Sequence, residues 1–201
     1  MNGLKILSYC RITDTAILSD GRRILSFDHE DEDSWMLQAY KKLDIQYPKF
    51  HKMDSLCKGG FIAAELVLGK SDGSPKEDMA ILTFNSSSSI ETDTAFTATI
   101  EEDYFPAPSV FVYTLPNIVN GEIAIRHSIF GETSCQIMEN FSADKILESI
   151  EMTCQNGTKS VLCGWVEQAE GHTDVLMFRV GEDPGNKMEL TNENLTNIWN
   201  T

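Results

Sequence analysis

The sequence lacks a long apolar segment and has little positive charge. No stretch approaches the length that crosses a bilayer, and the N-terminus does not combine a basic region, an apolar core and a small-residue cleavage site. We therefore expect no membrane span and a soluble, cytoplasmic protein. Only 16 Lys and Arg residues stand against 31 Asp and Glu, a formal net charge of −15. Because this field repels a phosphate backbone, no nucleic-acid partner is expected.

The five cysteines show neither disulfide nor metal-site spacing. They are scattered and form no Cys-x-x-Cys pair, at Cys10, Cys57, Cys135, Cys154 and Cys163. This pattern predicts free thiols in a reducing compartment and no zinc site. The sequence indicates no cofactor. The acidic run at 28–33 is typical of a solvated loop, because densely packed like charges repel one another; an acidic metal cluster is the less favoured alternative.

The negative charge is unevenly distributed along the chain. Residues 1–58 hold nine basic and nine acidic side chains, whereas residues 59–201 hold seven basic and 22 acidic ones. An acidic partner protein would be repelled by the second part at long range. It would be attracted only by a local basic strip, which the sequence offers at Lys41, Lys42, Lys49, Lys52 and Lys58.

Five segments have the composition of β-strands. Apolar residues are concentrated in each of them, at 4–12, 78–85, 135–138, 161–166 and 175–180. The nearly continuous apolar run at 78–85 is typical of a strand buried on both faces. The last two segments flank Glu170-Gly171-His172 and predict an antiparallel hairpin. Four serines at 86–89 form either a flexible connector or a loop that faces a ligand crevice.

Helices are predicted between these strands. Ser34 and Ser142 are candidate N-caps, and a closely packed helix is expected at 53–68. Within it, Gly59 and Gly60 indicate either a close neighbouring backbone or a break in the helix. Other helical segments are 91–102, 110–125, where Pro116 marks a kink or the true start, and 190–199.

The alternation of these elements predicts an α/β fold, with helices layered on a five-stranded mixed sheet that ends in an antiparallel hairpin. We expect a single domain over 1–201, in which 190–201 forms a terminal helix or a tail.

Several short strings occur in a characteristic order. They are Tyr47-Pro48-Lys49-Phe50-His51-Lys52-Met53-Asp54, Phe84-Asn85-Ser86-Ser87-Ser88-Ser89, Pro108-Ser109, Leu115-Pro116-Asn117, Gly121-Glu122-Ile123-Ala124, Gly131 and Gly164-Trp165-Val166-Glu167. Their order and spacing, over most of the chain, resemble the N-terminal half of a β-ketoacyl synthase, in a small single-domain subgroup of the thiolase-like superfamily. The resemblance implies one half of the thiolase fold.

The resemblance also implies where a nucleophile would lie. In the family, the N-terminal half places a cysteine at the start of a buried helix, where the helix dipole lowers the thiol pKa and backbone amides hold an oxyanion. The matching position here is Asn140, before the helix capped by Ser142. Asparagine cannot form a thioester, although its amide can donate and accept hydrogen bonds.

Cys135 is the alternative nucleophile. It lies five residues before Asn140 on a predicted strand, flanked by Glu132 and Glu139, whose carboxylates would raise its pKa. A partly buried strand cysteine is therefore the favoured interpretation. The family's two catalytic histidines come from its C-terminal half, and the four histidines of this chain are not spaced to replace them.

Three functions follow from the resemblance. The leading hypothesis is a non-catalytic ketosynthase-like subunit in fatty-acid or polyketide-type acyl chain biosynthesis, which forms a homodimer or a heterodimer with a full-length ketoacyl synthase through the strand at 135–138. The second is an acyltransferase or condensing enzyme that uses Cys135 with a borrowed histidine. The third is a module that binds an acyl chain without turnover. An acyl carrier protein is a further possible partner, through the basic strip.

Overall fold

The structure is a computed structural model that describes residues 3–27, 34–101, 105–183 and 185–201. The predicted acidic loop at 28–33 lies outside these residues. None of the helices within them is long and apolar enough to cross a membrane.

The strands of the described residues form one mixed sheet. They are β1 (Leu4–Ile12), β2 (Ala16–Ser19), β3 (Arg22–Ser26), β4 (Met79–Asn85), β5 (Thr133–Ile137), β6 (Ser160–Ala169), β7 (His172–Glu182) and β8 (Met188–Glu189), in the spatial order β3-β2-β1-β7-β6-β4-β5, with β8 beside β1. The strands β4, β5 and β6 are parallel, whereas β7 is antiparallel to both β6 and β1. The α/β mixed sheet is therefore confirmed.

The predicted number of strands was wrong. The five predicted strands are all present and lie side by side as β1-β7-β6-β4-β5, but β2, β3 and β8 extend the sheet to eight strands. A β2–β3 hairpin turns at Asp20-Gly21, where both residues have positive φ. Asp-Gly is a preferred pair for such two-residue turns, so the sequence did contain a signal for this hairpin.

Seven α-helices cover the two faces of the sheet within the described residues. They are α1 (Trp35–Lys42), α2 (Ser55–Leu68), α3 (Ile90–Glu101), α4 (Pro108–Phe111), α5 (Ile118–His127), α6 (Ala143–Gln155) and α7 (Asn192–Trp199), and short 3₁₀ turns occupy Pro48–Lys52 and Val112–Thr114. One apolar core lies between the sheet and α1, α2 and α5, and a second lies between the sheet and α6 and α7. The predicted layering of helices is confirmed.

Helix ends follow the expected capping chemistry. The side chains of Ser34 and Ser142 accept hydrogen bonds from backbone N–H groups in the first turns of α1 and α6. Pro116 lies between α4 and α5, so the segment at 110–125 is two helices rather than one kinked helix. The C-terminal segment forms α7, whose N-cap is Thr191.

Gly60 explains the close packing of α2. A Cβ atom at this position would lie 2.5 Å from a methyl carbon of Val119 on α5 and 3.3 Å from one of Val166 on β6. The glycine pair therefore lets α2 approach valine side chains of a helix and the sheet, without a break in the helix. This close fit seats α2 and α5 together above the centre of the sheet.

Candidate functional site

Asn140, which the sequence analysis predicts at the nucleophile position, lies in the loop between β5 and α6. Asn140 is exposed in this loop, two residues before the N-cap Ser142. The loop is joined to the end of β4, because the backbone N–H of Met138 donates to the carbonyl oxygen of Asn85 at 2.8 Å. The arrangement of strand, loop and capped helix is as predicted, and the role of Asn140 stays a prediction.

Aromatic side chains hold this loop against the C-terminal helix. The ring of Phe141 stacks on that of Trp199, with centroids 4.1 Å apart and planes within 3°. Trp165 of β6 meets both rings edge to face, each at 6.1 Å. The guanidinium of Arg11 lies 4.4 Å from the Trp199 ring centroid. The residue after Asn140 is therefore anchored by α7, a contact that the sequence did not predict.

The serine loop after β4 is bound by a carboxylate of the protein itself. The backbone N–H groups of Ser86 and Ser87 donate to Oε2 of Glu167, at 2.6 and 3.3 Å, and the Ser86 hydroxyl donates to the same oxygen at 2.5 Å. Such converging amides are suited to an anion. Because Glu167 already occupies them, the loop is a structured connection between β4 and β6.

Cys135 lies on β5 opposite Thr83 of β4. Burial raises the pKa of the half-buried Cys135 thiol, and a hydrogen bond with Thr83 offsets part of that rise. The three histidines within the described residues have contacts elsewhere: His127 with Glu65, His172 with Asp14, and His51 with aromatic rings. This environment favours the thiol over the reactive thiolate.

A second group of polar residues lies on the other face of the sheet. Glu122 of α5 is 3% exposed, and its Oε1 is 2.7 Å from the Lys49 ammonium. The Tyr113 hydroxyl donates to the same oxygen at 3.3 Å. Hydrogen bonding to Glu122 raises the Lys49 pKa, and burial raises that of Tyr113. The sequence contained no signal for this cluster, because Lys49 is far along the chain from both Tyr113 and Glu122.

Lys49 and Tyr113 also line a cleft of about 650 Å³. The cleft runs between the 3₁₀ turn Pro48–Lys52, the N-terminus of α2, the first turn of α3 and the segment at 108–113. Its walls are formed by Lys49, Lys52, Met53, Asp54, Thr92, Ser109, Val110, Val112 and Tyr113. Two members of the predicted basic strip therefore line the cleft. A third, Lys58, lies over the ring of Phe50 at 5.9 Å.

The fold is identified by comparison with solved structures, since comparisons of the sequence find no match. No family model matches the sequence, and no curated protein matches it. One chain of the solved complex of a ketosynthase with its chain length factor, from Xenorhabdus doucetiae, matches with a TM-score of 0.62 at 12% identity. The match covers all of this chain and 91% of that chain.

Two further structures are longer than this chain. A type II polyketide ketosynthase, solved with its acyl-carrier protein and bound to a hexaketide, has a TM-score of 0.58 at 12% identity; the match covers 90% of this chain and 62% of that one. The ishigamide ketosynthase/chain length factor has a TM-score of 0.54 at 13% identity, with coverages of 88% and 58%. This chain thus spans less than two thirds of both. Its fold is the thiolase-like fold of ketosynthase and chain length factor structures.

Proposed function

We propose that this protein is a non-catalytic ketosynthase-like subunit in polyketide or fatty-acid-type acyl chain synthesis. It pairs through β5 with a complete ketosynthase, and self-pairing is the alternative. The observation that carries the proposal is the open edge of β5. Within the described residues β5 pairs only with β4, so its outer backbone N–H and C=O groups are available to another strand.

Apolar side chains flank this open edge. Ile125 at the end of α5, Phe130 before β5 and Ile137 at the end of β5 are 66%, 70% and 51% exposed. Leu115, before α5, is also exposed. Proteins usually protect an edge strand with charges or a covering element. Here the exposed Glu132 and Glu139 stand close to the two ends of β5, and the exposed apolar side chains of Phe130 and Ile137 lie two residues from them in the sequence. A partner strand that pairs with β5 would cover these apolar side chains.

Net charge and the match to a solved complex favour a complete synthase over a second copy of this chain as the partner. With a net charge of −15, two copies would repel each other at long range, and a less acidic partner would be repelled less. The Xenorhabdus doucetiae structure supports the same choice. Its matched chain, 91% of which is covered by this one, belongs to a complex of a ketosynthase with its chain length factor.

The proposed absence of catalysis rests on the residues that would have to react. Asparagine occupies the nucleophile position, and burial raises the pKa of the thiols of Cys135 and Cys154, as it does for Cys10, Cys57 and Cys163. Incubation with acyl carrier protein thioesters should leave the intact mass of the chain unchanged. An acyl adduct that disappears in Cys135→Ser would overturn this part of the proposal.

Copurification tests the pairing. A tagged chain is recovered from its source cell, and the ketosynthase that accompanies it is then purified for binding measurements. Ile137→Arg should weaken the complex at least about tenfold, because it places a charge on β5 itself, where the partner strand would pair. Met188→Arg is the matched control, since Met188 is an exposed apolar residue on β8, beside β1 and away from the β5 edge.

Two outcomes of these measurements would contradict the proposal. A chain recovered alone, and monomeric by light scattering, would refute pairing. Equal losses of affinity in Ile137→Arg and Met188→Arg would refute the β5 interface.

A further inference from the structure

The segment from 77 to 144 has almost no positive charge. It contains eleven Asp and Glu residues but a single Lys or Arg residue, Arg126. That side chain is already bound, because its Nε lies 2.6 Å from the Glu65 carboxylate oxygen Oε1. Strand β5, the helices α3, α4 and α5 and the loops on both sides of β5 all belong to this segment. They therefore offer a partner no unpaired Lys or Arg side chain.

Exposed apolar side chains are concentrated in the same segment. Among the described residues, nine of the eleven large apolar side chains that are exposed lie between 77 and 144. Three of them, Ile125, Phe130 and Ile137, flank the open edge of β5. Soluble proteins rarely leave such a cluster uncovered, so this side of the molecule has the composition of an interface.

Hydrogen bonds to β4 identify the backbone groups of β5 that remain open. At the two ends of β5, the C=O of Glu132 and the N–H of Met138 bond to the backbone of β4, at 2.9 and 2.8 Å. Bonding to one neighbour recurs at every second residue of a strand, so the even-numbered residues of β5 face β4. The N–H and C=O groups of Thr133, Cys135 and Ile137 therefore point outward, where a further strand would bind them.

A carboxylate stands at each end of this open stretch. Glu132 directly precedes β5 and Glu139 follows it by two residues, and both are exposed. Their nearest basic neighbours along the chain are Arg126, which is bound to Glu65, and Lys145 on α6. An extended chain spans the seven positions between the two carboxylates in ~23 Å. A partner strand along β5 would thus meet one carboxylate near each of its ends.

A second copy of this chain does not match these charges. If two β5 strands paired antiparallel about Cys135, Glu132 of one copy would approach Glu139 of the other at both ends of the pair. Like charges opposed across two strands are destabilising. A strand with Lys or Arg at its ends and apolar residues between them complements the same edge, because its cations would meet the two carboxylates.

We propose that the β5 edge binds a strand of the partner protein that has apolar residues in its middle and Lys or Arg at both ends. The inference rests on the β5 interface of the proposed function and adds the chemistry of the partner strand to it. The backbone of Thr133, Cys135 and Ile137 provides the hydrogen bonds, and Glu132 and Glu139 select the partner by charge.

Peptide binding to the isolated chain tests this recognition without a synthase. Three blocked eight-residue peptides share a centre of alternating Val and Thr and differ only in their first and last residues, which are Lys, Gln or Glu. The Lys peptide should bind at least about fivefold more tightly than the Glu peptide, with the Gln peptide between them, since each exposed ion pair contributes modestly. Equal affinities of the Lys and Glu peptides, or no binding of the Lys peptide, would overturn the proposal.

Hydrogen exchange identifies the edge that is bound. The Lys peptide should slow exchange at the N–H groups of Thr133, Cys135 and Ile137, and change it little at Ser134 and Gln136, which already face β4. Binding that leaves exchange at the first three residues unchanged would place the peptide elsewhere and overturn the proposal.

Charge reversal tests the role of the two carboxylates. Glu132→Lys combined with Glu139→Lys should reverse the order, so that the Glu peptide binds more tightly than the Lys peptide. The control combines Glu170→Lys with Glu182→Lys, the same change in net charge at exposed positions near the ends of β7, which β6 and β4 separate from β5. It should keep the original order. An equal loss of preference in both double variants would refute the site, because net charge alone would then account for it.

The two proposals fail separately. A chain that prefers the Lys peptide at β5 but is recovered without a synthase would refute the proposed function alone. A chain that pairs with a synthase through β5 but does not distinguish the three peptides would refute this inference alone.

Discussion

Replacement of Trp199 tests how α7 supports the loop that carries Asn140. The ring stacks on Phe141, meets Trp165 edge to face and lies beneath the Arg11 guanidinium. Trp199→Ala removes all three contacts at once. The hydrogen bond from Arg11 Nε to the Trp199 backbone carbonyl remains available, because it does not involve the side chain.

The size of the effect follows from area and ring contacts. Trp199 is only partly buried, so its side chain removes about 100 Å² from water, worth about 2.5 kcal/mol at ~25 cal/mol per Å² and less against a compact unfolded chain. The aromatic and cation–π contacts add about 1 kcal/mol each but overlap with that area. We therefore expect the free energy of unfolding to fall by about 2–3 kcal/mol, at or below the lower end of the range for truncation of buried aromatic side chains.

Urea denaturation followed by far-UV circular dichroism measures this loss without relying on tryptophan fluorescence. Hydrogen exchange should show faster exchange at 138–142, because Phe141 loses its stacking partner. Trp199→Phe is the control, since it retains a ring for Phe141 and should cost clearly less. A loss below about 1 kcal/mol, the average for any point substitution, would refute the anchoring of the loop by α7.

Further predictions concern packing and pH. Gly60→Ala should lower the free energy of unfolding by about 1–3 kcal/mol, because its Cβ would meet Val119. Gly121 lies on the exposed surface of α5, where a Cβ would have no atom within 4 Å. Gly121→Ala should therefore raise the free energy of unfolding by up to about 1 kcal/mol, because alanine favours the helix more than glycine does. A urea midpoint that falls equally in both variants would contradict this. Hydrogen bonding to Asp14 raises the pKa of His172, so NMR titration should find a midpoint above the ordinary histidine value that drops in Asp14→Asn. This pair stabilises the fold below the ordinary histidine pKa, and its contribution is lost as pH rises through the raised value; an unchanged midpoint in Asp14→Asn would contradict the assignment.

Local sequence patterns predicted those elements whose signals are local. The serine caps of α1 and α6 and the β6–β7 hairpin depend on residues a few positions apart, and all three formed as predicted. The β2–β3 hairpin was missed although Asp20-Gly21 marks its turn, because its strands are short and only partly apolar.

The candidate sites were predicted less completely. The role of Asn140 stays a prediction from the order of strings along the chain. The Phe141–Trp199 stack was missed because it joins residues 58 positions apart, and no repeat or spacing marks such a pair. The Glu122–Lys49 contact spans 73 positions and was missed for the same reason.

The sequence by itself determined five strands of the central sheet, the serine caps of α1 and α6 and the acidic charge, because composition and short-range order carry that information. The tertiary structure decided that β5 lies at the open edge and that Lys49, Lys52 and Tyr113 meet around one cleft. Both depend on which strands and helices pair across long separations in the chain. That pairing is set by burial of apolar faces throughout the fold, and no single segment contains it.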